Sequence, residues 1–133
     1  MKYLLTALFT IATVAPIESY GSPGYYACQV SSDAHIKNSG ALDLLRNSPR
    51  IGEKFSVNKK TGAVAGDIFD ALNTPQLIAR GGDQNSFKVL WIQKSAGKNG
   101  AFVDYLSIEE FVKGKKKPFG FFSGGLLMTG SCE

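Results

Sequence analysis

A chain of 133 residues with 44% hydrophobic and 11% aromatic side chains has the make-up of one globular domain with a modest core, which excludes a disordered chain. Its 15 Lys and Arg against 11 Asp and Glu leave a formal net charge of +4, which tolerates an acidic partner without naming one. Two cysteines and one histidine exclude a many-bridged scaffold and any metal centre built on several histidines.

The N-terminus reads as a targeting segment. Lys2 supplies a positive n-region, and residues 3–14 form an uncharged, mostly apolar h-region too short to span a bilayer comfortably. Ser19-Tyr20-Gly21 puts small side chains before a cut at Ser22, whereas a cut after Ala15 would be followed by Pro16. The expectation is a signal peptide over residues 1–21, then a single β-domain over residues 22–133 in the periplasm or outside the cell, with no transmembrane helix left after cleavage. Ala27 precedes Cys28 as at a lipidation site, but Tyr25 and Tyr26 are bulky where such a site needs small or aliphatic residues.

Residues 25–30 read as the first strand, followed by a polar stretch. Residues 39–46, with Ser39 as a cap and a stop at Asn47-Ser48-Pro49, read either as one or two helical turns or as a β-edge segment. Phe55 and Val57 then alternate with Ser56 and Asn58, and Lys59-Lys60-Thr61-Gly62 is a hairpin turn with a glycine where positive φ is needed. The return strand covers residues 63–69, with Gly66 marking a bulge or tight bend. Residues 76–80 are a further strand, and residues 81–85 turn the chain. Residues 86–93 form the most strongly patterned strand, with Phe87, Val89 and Trp91 on one face. A turn at residues 94–100 leads to a strand over residues 101–108, which residues 109–112 would extend. After the basic loop come two apolar runs, residues 117–122 and 126–132, split by Ser123-Gly124-Gly125: a terminal hairpin.

About eight short strands joined by short turns leave no room for parallel crossovers, so the sheet should be antiparallel. Cys28 ends the first strand and Cys132 the last, and in an oxidising compartment the two should bridge. The fold expected is a small antiparallel β-barrel of about eight strands closed by that disulfide, with a two-sheet sandwich as alternative and one short helix at most.

The residues offer little chemistry. Asp33-x-His35 is a weak metal motif and reads better as a solvated pair. No Gly-x-Ser-x-Gly elbow and no phosphate loop occur. Glu109 and Glu110 are adjacent, so in a strand they point to opposite faces and cannot flank one glycosidic bond. No catalytic, cofactor-binding or metal-binding residue is assigned, and an enzyme is not expected. The most distinctive polar feature is Lys113, Lys115, Lys116 and Lys117 beside Phe119. As structure it is a solvated loop that keeps a sticky strand from aggregating. As a site it would hold an acidic partner with Phe119 giving apolar contact.

The pattern Phe55-x-Val57-x-x-x-Thr61-Gly62-x-x-x-Gly66, then Ser86-Phe87-Lys88-Val89, Lys117-Pro118-Phe119 and the ending Thr129-Gly130-x-Cys132 resembles a group of small signal-peptide-bearing proteins of Gram-negative bacteria. The resemblance spans about the last 80 residues and rests on turn and strand positions. It implies bacterial export and an all-β fold, and implies no catalytic residue. Tyr26-Ala27-Cys28 and the late Cys132 are also similar to the early Tyr-x-Cys and late Cys of small-barrel periplasmic lysozyme inhibitors. Ser39-Gly40 and Ser123-Gly124 are turn pairs, not the inhibitory loop of those proteins, and a net charge of +4 would repel a basic lysozyme.

The function expected is a monomeric, non-enzymatic binding module for an envelope component or protein, acidic rather than a specific nucleic acid. The alternatives are an inhibitor of a lysozyme-like or other host or competitor enzyme, and a carrier of a small apolar ligand in a barrel cavity.

Overall fold

The structure, a computed structural model, describes residues 23–94 and 99–133. The expected signal peptide and most of the 94–100 turn lie outside the described residues. Nine strands form among those described: β1 (Tyr25–Ile36), β2 (Leu42–Leu44), β3 (Lys54–Asn58), β4 (Val64–Ala65), β5 (Gln76–Gly82), β6 (Asn85–Lys94), β7 (Ala101–Ile108), β8 (Lys117–Ser123) and β9 (Leu126–Cys132). They make one antiparallel sheet in the order β4-β3-β1-β9-β8-β7-β6-β5, with β2 added to the far end of β1, and the sheet curls into a half-barrel.

The terminal strands do lie side by side, and Cys28 and Cys132 are bonded across them. Their pairing falls in the middle of the sheet instead of closing it, because β1 is taken by β9 on one side and β3 on the other. The outer strands β4 and β5 do not pair, so the barrel stays open.

Cross-strand partners share a face. One rung of the concave face therefore runs through Phe87, Ile108, Phe119, Gly130 and Val30. The next runs through Val89, Leu106, Phe121, Met128 and Asp33, and a third, at the mouth, through Trp91, Asp104, Ser123, Leu126 and His35. Phe87, Val89, Trp91, Leu106 and Ile108 are fully buried, each stabilising the fold by roughly 1.5–3 kcal/mol relative to exposure. Gly130 has no room for a side chain: a Cβ there would stand 2.0 Å from the Gln29 carbonyl oxygen and 2.7 Å from the Phe119 ring.

Of the two readings of residues 39–46 the β-edge one holds, as the short strand β2. Two expectations change. β1 continues past Val30 to Ile36, across a bulge between Val30 and Ser32 that moves the inward positions from 26, 28 and 30 to 33. The return strand stops at Ala65, and residues 67–69 form a 3₁₀ turn that lays Phe69 onto Phe55 (ring centroids 4.7 Å) and Phe121 (4.8 Å). With Gly62 packed close to Val89, this segment folds over the concave face and fills it.

Candidate functional site: a basic groove beside the disulfide

The disulfide joins directly paired residues, with Cα atoms 3.9 Å apart, and Ala27 and Glu133 exchange both backbone hydrogen bonds (2.9 Å each) just beyond it. On the outward face, Gln29 stands between Lys54 of β3 and Ser131 of β9. Pro118, second in β8, lies opposite Ser131, and the loop before β8 brings Lys116 to the same place. The result is an open groove of about 380 Å³, with Gln29, Ser131 and the Cys28 backbone region between Lys54 and Lys116, and Glu133 at one end.

Neither Lys54 nor Lys116 forms an ion pair among the described residues, whose ion pairs are Arg50–Asp33, His35–Asp43 and Lys37–Asp43. Two ammonium groups flanking a groove floored by an amide and a hydroxyl suit an anionic group that takes charge from both sides and hydrogen bonds from below. Lys113 is exposed on the same loop, while Lys115 is engaged in an interaction within the protein.

The loop is tethered. Glu109 accepts hydrogen bonds from Ser86 Oγ (3.0 Å) and Ser107 Oγ (2.8 Å), and Glu110 accepts one from Tyr26 OH (2.7 Å). The Glu109 N–H donates to the Pro118 carbonyl (2.8 Å), and Lys117 Nζ donates to the Val112 carbonyl. Gly81, with φ of 74°, brings β5 so close that a Cβ would sit 3.0 Å from Glu110 Cβ. Burial, then the Glu110 hydrogen bond and the Glu110 charge, push the Tyr26 phenol well above its ordinary range. Lys59 Nζ lies 4.4 Å from the centroid of the Tyr26 ring, which adds a cation–π contact to the same cluster. β7 ends at Ile108, so residues 109–112 turn instead of extending the strand, and the two glutamates there serve as separate anchors for the lysine loop.

Of the residues singled out from sequence, Lys116 lines the groove, Lys113 is exposed on the same loop but does not line it, and Lys117 turns back to its own loop. Phe119 is a correction: it is 3% exposed, with its ring against Phe55 (centroids 5.1 Å), so it gives a partner no contact. Strand alternation explains this, since 119 and 121 point inward and 122 outward. Lys54 was missed because it lies far off in sequence and joins the loop only through the β3-β1-β9-β8 order. Asp33 and His35 do not converge on one ion. Asp33 is enclosed, accepting from Arg50 Nε (2.8 Å) and from Ser48 Oγ, and His35 Nε2 stands 3.7 Å from Asp43. Burial pushes the Asp33 carboxyl up, but the Ser48 and Arg50 hydrogen bonds, the Arg50 charge and the Ala34 N–H outweigh it and hold the group below the usual carboxylate range. No cluster of three or more His, Cys, Asp or Glu able to hold a metal occurs among the described residues.

Comparison with protein families, curated proteins and solved structures finds no match to the chain. No helix among the described residues is long and apolar enough to cross a membrane.

Proposed function

We propose that the protein is an exported, non-enzymatic binding module of a bacterial envelope that takes an acidic envelope component or protein in the groove between Lys54 and Lys116. The observation that carries this reading is the convergence on one open groove of two lysines without an ion pair among the described residues, Lys54 from β3 and Lys116 from a loop tied down by Glu109 and Glu110. Tethering supports binding because a preformed cationic site loses less conformational freedom on engaging its partner than a free loop would. The buried disulfide supports an oxidising location, and the net charge of +4 supports attraction to polyanions.

Retention on immobilised lipopolysaccharide, wall teichoic acid and peptidoglycan tests the reading. Wild type should bind at least one of the three, without turnover of any. The pair Lys54→Glu and Lys116→Glu should abolish that binding while leaving the unfolding midpoint unchanged. Equal retention of wild type and the double variant on every support sinks the proposal.

A further inference from the structure

At the opposite end of the sheet, the mouth of the half-barrel holds a second site of different chemistry. An inner cleft of about 200 Å³ is lined by Arg50, Phe69, Asp104, Phe121, Leu126 and Met128 among others. It shares Ala71, Leu72, Asp104 and Ser123 with an outer cleft of about 490 Å³ that reaches the exposed rings of Phe102 and Phe122. The middle of the concave face is filled with side chains, so on that face the room for a small molecule is at these joined clefts.

Asp104 sits where they meet. It is 8% exposed, and its side chain makes no hydrogen bond or ion pair among the described residues, its carboxylate oxygens remaining open to the clefts. Its neighbours across the ladder are Trp91 and Ser123, and Trp91 Nε1 is itself buried with no acceptor among the described residues. Asp33, on the adjoining rung, accepts from Arg50 and Ser48 at Oδ2, while its Oδ1 is buried without a partner among the described residues. Because Arg50 already balances Asp33, Asp104 leaves the cleft with one uncompensated negative charge.

A largely enclosed carboxylate that opens onto a cleft and has no cation of its own favours one in reach of it. Aromatic walls suit an organic ammonium ion better than a bare metal, since ring faces attract the alkylammonium charge and a single carboxylate supplies a metal with too few ligands. An anion would meet repulsion at Asp104, and a neutral apolar molecule would desolvate the carboxylate further while giving it nothing. We propose that the mouth cleft binds a small organic ammonium ion with an apolar body, its charge on Asp104 and its body among Phe69, Phe121, Leu126 and Met128. The site is separate from the basic groove and stands or falls independently of it.

The test uses 2-phenylethylammonium chloride, with 2-phenylethanol as its neutral isostere and 3-phenylpropionate as its anionic counterpart. The chain has one tryptophan, Trp91, directly across the ladder from Asp104, so its emission reports occupancy; calorimetry gives the affinity. The ammonium ion should saturate, and the alcohol and the acid should bind at least about tenfold more weakly, the loss expected when a charge-assisted contact is missing. Asp104→Asn should reduce the ammonium affinity to that of the alcohol without lowering the urea midpoint. Phe102→Ala, at an exposed position that tolerates truncation, should weaken the ammonium ion several-fold. Equal affinity for amine and alcohol, undiminished binding by Asp104→Asn, or no saturable ammonium response at millimolar concentration would each overturn the proposal.

Discussion

Removing the Cys28–Cys132 bridge should lower stability mainly by releasing the unfolded chain. The two residues are 104 apart in sequence, and closing a loop of that length removes about 4.7 kcal/mol of conformational freedom from the denatured ensemble at 25 °C. The folded side changes little, because the β1–β9 ladder continues for several pairs beyond the bridge and the Ala27–Glu133 hydrogen bonds flank it. Urea unfolding of Cys28→Ala/Cys132→Ala against oxidised wild type measures the difference. Both positions are buried, so the double variant also loses sulfur packing; reduced wild type serves as the control that keeps the side-chain volume. The expected result is a stability loss of about 4–5 kcal/mol for reduced wild type, with a steeper denaturant slope as the freed chain exposes more surface. A loss below about 1 kcal/mol would refute the reasoning, since it would mean that the unfolded ensemble is already restrained without the bridge.

Gly130→Ala should be far more damaging than its single methyl suggests, because the added Cβ meets Gln29 backbone at 2.0 Å and must part β1 from β9. A loss of roughly 3 kcal/mol or more is expected by thermal unfolding, and a variant within experimental error of wild type would show that the ladder can yield there. At alkaline pH, the raised Tyr26 phenol sets the sign: the folded state favours the neutral form, so its contribution is complete below the unfolded value of about 10 and is lost as pH rises through the folded value. Stability should therefore fall above about pH 10, and Tyr26→Phe, which cannot ionise, should flatten that fall. An identical alkaline profile in both proteins would count against the burial of Tyr26 and its bond to Glu110.

The strands that carry regular alternation were legible. Phe87, Val89 and Trp91 on one face, the 101–108 strand and the C-terminal hairpin all follow from patterning alone, and two cysteines in an otherwise cysteine-free chain identify each other as partners. What stayed hidden depended on breaks in the period. The bulge after Val30 turns Asp33 inward, so a charged residue in a Ser-rich stretch reads as loop although it is 1% exposed beside Arg50. Phe69 reads as strand because it is apolar, yet a 3₁₀ turn is what carries it over the concave face. Openness of the barrel was not encoded locally at all: it depends on which strand β1 accepts as its second neighbour. The candidate groove was half visible, since the lysine loop is conspicuous, while Lys54 and the anchoring roles of Glu109, Glu110 and Tyr26 exist only through tertiary pairing.

Salt dependence of binding to an acidic envelope polymer tests the role of the groove most directly. For whichever polymer retains wild type, the logarithm of affinity should fall linearly with the logarithm of salt concentration, and each of Lys54→Gln and Lys116→Gln should reduce that slope by about one unit. Slopes unchanged by both substitutions would place the contact elsewhere on the molecule and contradict the groove as the binding site.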